Sequence, residues 1–412
     1  MHSSARPSLG SRLTSCRSRI RPLVASVAAI ALLASGCSSS GDQPGQSGGA
    51  YQIGLTSDLS GQFGFIGQGL RNGAAAHFDT INAAGGINGH KVELTALDDT
   101  NKAPQGVGNM TKLVTQTKVS AVMGFQSSAV AAATAPLAAQ YKVPMLASTV
   151  AAALVEPPQP YLYAATIHTA NYAAAQMAMA KQLMTQKPPA GGTVRVASIT
   201  SSSSAALQQW SDAVKTIADS YGWNVVAQEI VPQDGIDMSA GLTKIIGAQP
   251  DVLLMGIGAD AWIIAGMKQL QGTTFPIVSY DSPAWATVKS LNSDRFYYVS
   301  ALSYATDAAT PQFVKDAKAA NLDPNAVYVI RGYYAALIIT DALGRCGYPC
   351  SGEQLQAVLD KTDVDTGGII QGHAQYGPDN HQAVRSLAAY LWDAAKDEPT
   401  VAATGLTPGT TP

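Results

Sequence analysis

Ser127 and Ser128 follow the apolar run Ala121–Phe125 and open a helix-period segment, so they stand where a helix begins at the carboxyl edge of a strand. Such an end offers unpaired backbone N–H groups and the positive pole of the helix, which together attract an anion. Thr149 follows the next strand candidate and could add a hydroxyl donor. The same serines could simply cap the helix, and capping and anion binding are compatible. The loop Ser57–Gly67 sets Gly61, Gly64 and Gly67 around Phe63 and Phe65, which fits close backbone approach plus an aromatic wall over a ligand; buried structural aromatics would look the same. Further along, Thr200–Ser204, Gly256-Ile257-Gly258 and Asp281-Ser282-Pro283-Ala284-Trp285 also follow strand candidates. Ligands of open α/β sheets bind outside such strand ends.

Catalytic and cofactor patterns are weak by comparison. From Tyr51 onward there is no Gly-x-Ser-x-Gly elbow and no His-Glu-x-x-His, and the six histidines of the chain are scattered. Gly256-Ile257-Gly258 mimics part of a dinucleotide fingerprint, but it sits in a late βα unit and reads as a tight turn at a cleft edge. No cofactor and no enzymatic turnover are expected.

The elements that must hold these residues alternate. Strand candidates Gln52–Thr56, Lys91–Leu97, Ala121–Phe125 and Pro144–Ala147 are separated by helix-period segments at Gly67–Ala84, Pro104–Thr117 and Ser127 or Ser128 to Tyr141. That order predicts βαβ units and a parallel sheet. In the first helix Leu70, Ala74, Phe78 and Ile81 recur at three and four residue spacing, and His77 beside them reads as a surface residue. The second half repeats the alternation from a helix at Tyr172–Met184 to a strand at Phe296–Ala301. Helices at 310–320, 326–343 and 351–361 and a last strand at Ser386–Trp392 complete it.

Taken in order, the blocks Gly61–Gly67, Ile81–Gly89, Asp98-Asp99 and Gly124–Ser128 resemble the leucine-binding-protein family, the type I solute receptors of bacterial ATP-driven importers. The likeness runs from about Tyr51 to about Trp392. It implies an α/β fold of two Rossmann-like lobes, parallel-type sheets flanked by helices, joined by a three-crossover hinge. Residues 51–166 with 300–372 would form the N-terminal lobe and 167–299 with 373–397 the C-terminal lobe. It also implies that Ser127, Ser128 and Thr149 grip a ligand carboxylate, with Phe65 over the ligand and Asp281, Ser282 and Trp285 across the cleft. The sequence departs from amino-acid receptors in this second set. Ala205 and Gly258 stand where tyrosines would be, Ser282 stands where an acid would meet an ammonium, and Ala151 replaces a hydroxyl residue. Asp281, one residue away, could take over the acid's role, so the expected solute is an amino acid or a carboxylate or amide without an ammonium.

The N-terminus carries an address. Five arginines precede an uncharged apolar stretch from Leu23 to Leu33 that ends in Leu33-Ala34-Ser35-Gly36-Cys37. Residues 1–36 thus read as a signal peptide, and the ending resembles a lipobox in which Cys37 is acylated. Residues 37–50, rich in Ser and Gly, have nothing with which to offset ordering entropy and read as a flexible tether. Residues 398–412 read as a disordered tail.

Taking those five arginines from the 26 basic residues leaves 21 against 28 acids, a net −7, which argues against a nucleic-acid partner. About 350 structured residues exceed one core and predict two domains. Of the four cysteines only Cys346 and Cys350 remain in the folded part, around Gly347-Tyr348-Pro349, and an exported chain would join them as a small-loop disulfide. The expected whole is a monomeric, lipid-anchored solute-binding protein on the outer face of a bacterial cytoplasmic membrane. It would close on a small solute and deliver it to an ABC permease. A sensor of the same fold, reporting occupancy to a signalling partner, is the competing expectation.

Overall fold

The computed structural model describes residues 49–148, 151–202, 205–232, 237–257, 260–280, 285–306 and 308–407. Short apolar runs bounded by polar residues become strands, and each is followed by a helix that covers the sheet. The first sheet takes β1 (Ala50–Ser57), β2 (Lys91–Asp98), β3 (Ala121–Gly124), β4 (Met145–Ala147) and β5 (Leu162–Ala164). All pair in parallel in the order β2-β1-β3-β4-β5. Between them lie α1 (Gly64–Ala83), α2 (Ala103–Lys112) with a π-helical turn at Leu113–Thr117, α3 (Ser128–Tyr141) and α4 (Ala152–Val155).

The second sheet takes β6 (Arg195–Ser201), β7 (Asn224–Val231), β8 (Val252–Gly256), β9 (Ile277–Tyr280) and β10 (Phe296–Ser300), with α5 (Thr169–Gln186), α6 (Ala205–Ser220), α7 (Ser239–Ala248), α8 (Asp260–Gln269) and α9 (Trp285–Leu291). The chain then returns to the first lobe as α10 (Pro311–Ala319), α11 (Val327–Cys346) and α12 (Gly352–Leu359), with a small hairpin of β11 (Asp363–Asp365) and β12 (His373–Gln375). It ends in β13 (Leu387–Asp393) and β14 (Glu398–Leu406), which extend the second sheet antiparallel beyond β10. β3 and β8 are buried at every residue, as parallel strands covered on both faces must be.

The chain therefore passes between the sheets after β5, after β10 and before β13. These passages are tied to one another. The Ala164 N–H donates to His381 O at 2.8 Å and the Ala383 N–H to Ala164 O at 3.0 Å, while the Ser303 N–H donates to Ile369 O at 2.9 Å.

The abundance of small residues has a packing cause. Helices α1 and α11 lie so close that a Cβ on Gly73 would stand 2.0 Å from Val329 O, and one on Gly332 2.0 Å from Leu70 O. At the far end of α11 the Cys346–Cys350 disulfide forms. Tyr348 in its loop stacks on His90 at 3.7 Å and meets the edge of Tyr51 at 5.0 Å, while His90 Nδ1 lies 3.2 Å from Gly49 O. The loop thus closes over the start of β1.

Two expectations are corrected. His77 is not a surface residue: it is buried in the α1–α11 seam, with Nε2 2.8 Å from Thr340 Oγ1 and its ring 4.7 Å from that of Tyr333. It lies three residues after Ala74 and seven after Leu70, on the packed face, and its polar type concealed that. The stretch from residue 398 is not all disordered tail, because Glu398–Leu406 is a strand paired to β13, with Pro399 opposite Trp392 and buried Leu406 opposite Leu387. An edge strand draws its order from one partner and needs few apolar residues of its own, so composition could not reveal it. No described helix is long and apolar enough to cross a membrane.

Candidate functional site

The glycine loop after β1 is organised by three carboxylates. Asp58 accepts the N–H of Gly61 at 2.5 Å and of Phe63 at 3.0 Å, and Asp98 accepts the N–H of Leu59 at 2.9 Å. Asp99 accepts Thr56 Oγ1–H at 3.1 Å and the Asn101 N–H at 2.9 Å. Burial pushes the Asp99 carboxyl up against these hydrogen bonds, and the neighbouring charges of Asp58 and Asp98 push it further. Gly67 is required here, since a Cβ would stand 2.1 Å from Asp58 O. The loop delivers Phe65 onto the first turn of α1, 63% exposed and edge-on to Tyr328 at 5.7 Å.

The second element is the turn from β3 into α3. Gly124 has φ +106 and buried Phe125 φ +48, so the chain reverses sharply here, pinned by Phe125 N–H to Thr56 O at 2.8 Å. Ser127 is the N-cap residue with extended φ and ψ, yet its side chain makes no capping hydrogen bond. Capping therefore does not account for the Ser127 hydroxyl. Ser128 opens the helix, both serines are half-buried, and Gln126 beside them is held back by Ser57 Oγ–H at 2.8 Å. The Ser148 N–H donates to Gly124 O at 2.8 Å, which sets the end of β4 next to this turn.

Between the interlobe passages lies a narrow recess with room for about one water molecule. Among the described residues its polar lining is Ser148, Thr166, Tyr172, Arg331 and Tyr334. Thr166 Oγ1 and Tyr172 Oη lie 3.2 Å apart, and the Arg331 guanidinium lies 5.7 Å from the centre of the Tyr328 ring. The Tyr334 hydroxyl is buried without a hydrogen-bond partner. The sequence reading singled out none of these five. One signal was available, because Arg331 is the one charge in the stretch Val327–Thr340 of its helix, ahead of Asp341 and Arg345.

Thr149, Asp281 and Ser282, like Cys37, lie outside the described residues. Trp285 opens α9 but is 3% exposed, enclosed by Tyr298, Tyr304 and Tyr390 at 5.3, 5.0 and 5.4 Å. Its ring packs inside an aromatic cluster rather than standing open to a ligand. Gly256 has a packing reason too: a Cβ there would stand 2.6 Å from the ring of Trp210. The Trp210 Nε1–H donates to Gln176 Oε1 at 2.6 Å, and Gln176 Nε2–H reaches Met255 O at 3.1 Å and Val278 O at 2.7 Å. One buried amide thus fixes the ends of β8 and β9. Among the described residues no cluster of His, Cys, Asp and Glu could hold a metal ion.

Comparison with known proteins agrees with this architecture. A family model described as periplasmic binding protein matches residues 50–397. The Leu/Ile/Val-binding protein BraC3 of Rhizobium johnstonii is 27% identical over 364 residues, covering 84% of this chain and 92% of that protein. Among solved structures, the branched-chain amino acid transporter substrate-binding protein LivJ of Streptococcus pneumoniae, in complex with isoleucine, superposes with a TM-score of 0.71 at 22% identity, covering 88% of this chain and 100% of that one. A solute-binding protein of an ABC transporter from R. palustris, in complex with 4-hydroxybenzoate, gives 0.73 at 16% identity, covering 88% and 99%. At these identities the structural likenesses establish the fold.

Proposed function

The chain belongs to the leucine-binding family of periplasmic binding proteins, and on that premise we propose that it captures a small organic solute between its lobes and passes it to an ATP-driven permease. The solute class is an amino acid, an amide or a carboxylate. The observation that carries this reading is the N-terminus of α3, where the Ser127 hydroxyl is not used as a cap and the helix begins directly after the carboxyl end of β3. Ser127, Ser128 and Thr149 form the carboxylate grip in this reading, with Phe65 as an aromatic wall. Asp281 and Ser282 approach from the second lobe.

The moving bodies are residues 51–166 with 300–375 and residues 167–299 with 387–406, bounds shifted from the sequence expectation because β12 pairs with β11 and β14 with β13, and they turn about the three tied passages. Solute contacts from both lobes favour the closed form, and binding shifts the populations only by its differential affinity for the two forms. The permease reads the closed surface. Acylated Cys37 and the tether hold the monomer at the outer face of the cytoplasmic membrane, and the solute leaves chemically unchanged.

The test is a thermal-shift screen of the purified protein against amino acids, carboxylates and amides, since a ligand bound only by the native state raises the melting temperature. With a hit in hand, Ser128→Ala together with Thr149→Ala removes two hydrogen bonds to a charged group and should weaken binding about 100-fold. The melting temperature without solute should hardly move. An unaltered Kd would mean that the carboxylate grip is wrongly placed.

A further inference from the structure

We infer that His168 is a proton-operated latch in the hinge: with a neutral ring it fastens the start of α5 to the first lobe, and a second proton on the ring lets the two lobes turn freely. The inference rests on the two-lobe reading above and adds to it a control of the hinge. His168 is the N-cap residue of α5, the helix that packs on the second sheet and whose Gln176 fixes β8 and β9. Glu156 follows the end of α4 in the first lobe, and the His168 ring Nε2–H donates to its Oε1 at 2.9 Å. Gln382, in the passage before β13, ties the two together. Its Oε1 accepts the His168 N–H at 2.8 Å and its Nε2–H donates to the same Glu156 oxygen at 3.0 Å, while its backbone is bridged to Ala164 at the end of β5. One residue thus fastens α5 to the first lobe through both its backbone and its ring.

The polarity of this network is fixed. A backbone N–H only donates and a carboxylate only accepts, so the Gln382 amide can stand one way round and the neutral His168 ring keeps its proton on Nε2. Nδ1 is then bare, buried and without a hydrogen-bond partner among the described residues. A second proton would place an N–H there with nothing to accept it. Glu156, the one charge acting on the ring among the described residues, invites that proton less strongly than burial opposes it, which holds the ring's pKa below 6.5. His381, beside Gln382, turns the other way, to Leu162 O and Asp360. The latched form is therefore intact while the ring is neutral and is lost as pH falls through the lowered value. A charged ring meets its second acceptor only by leaving the pocket for water, which lets go of Glu156 and frees the start of α5. A loose hinge has more freedom to lose when the lobes close than a fastened one, so the same proton disfavours capture.

The test places bio-orthogonal spin labels at exposed Lys112 and Lys215, one in each lobe, on the full chain without solute. Pulsed electron resonance then follows the interlobe distance from pH about 7.5 to about 4.5. The distance distribution should widen at least about two-fold, with the midpoint at which the His168 ring signals titrate by NMR. His168→Gln, whose amide can still donate to Glu156 but takes up no proton, should stay narrow across the range. A wild-type distribution that never widens, a midpoint more than about one pH unit from that of His168, or equal widening in His168→Gln would overturn the latch. Should the variant not fold, the agreement of the two wild-type midpoints decides alone. No solute is present in this experiment, so the latch can fall while the solute-binding reading, tested by melting temperature, stands.

Discussion

Acid should loosen the α1–α11 seam through His77. Burial lowers the pKa of this ring from 6.5 to about 4, opposed by the smaller attraction of the Asp316 carboxylate. Nε2 faces Thr340 and Nδ1 has no partner, so nothing in the seam welcomes a second proton. The unfolded chain takes up that proton below pH about 6.5, whereas the native state refuses it until about 4. Stability is therefore intact above the window and is lost as pH falls through it, by about 2 kcal/mol between pH 7 and 4.5. Urea unfolding at the two pH values measures the loss in the wild type and in His77→Gln, whose amide can still meet Thr340 but does not titrate. Buried His168, also lowered by burial against the pull of Glu156, and the carboxylates contribute equally to both proteins. The variant should thus lose about 2 kcal/mol less than the wild type on acidification. Equal losses, within about 0.5 kcal/mol, would show that His77 is not withheld from protons.

Gly332→Ala should destabilise by about 1–3 kcal/mol in denaturant unfolding, because its Cβ meets the backbone of Leu70, which cannot move aside alone. Trp210→Phe should cost about 1–3 kcal/mol by leaving Gln176 Oε1 without its donor, and a shallower loss would show that water replaces the indole. Cys346→Ser with Cys350→Ser should lower stability by about 2 kcal/mol, the loop-closure value for so short a ring. Thermal unfolding with and without reductant gives the same comparison in the unaltered chain.

The strand ends were legible because a parallel strand buried on both faces must be a short apolar run, and β3 and β8 announce themselves that way. The α3 turn was legible for the same reason, since Ser127 and Ser128 stand at the switch from one period to the other. Arg331 and Tyr334 were not. They sit in the middle of a helix, and nothing local says that this part of the helix backs a recess assembled from β4, the passages after β5 and β10, and the segment before β13. Trp285 was read as facing the cleft from its place after a strand. Its three tyrosine neighbours come from β10, the passage after it and β13, a convergence visible only in the fold.

The way the two ends of the chain join their sheets makes the molecule unequal under tension. β1 is an interior strand, paired over all eight residues with β2 and from Ile53 to Thr56 also with β3. A pull on the N-terminus runs along that strand and strains its ladders in shear, all bonds together, with the Tyr348 loop shut over the point of traction. A pull on the C-terminus meets β14, an edge strand with a single antiparallel neighbour, and opens that ladder one bond at a time from Leu406. Drawn from its front the domain resists; drawn from behind it unravels.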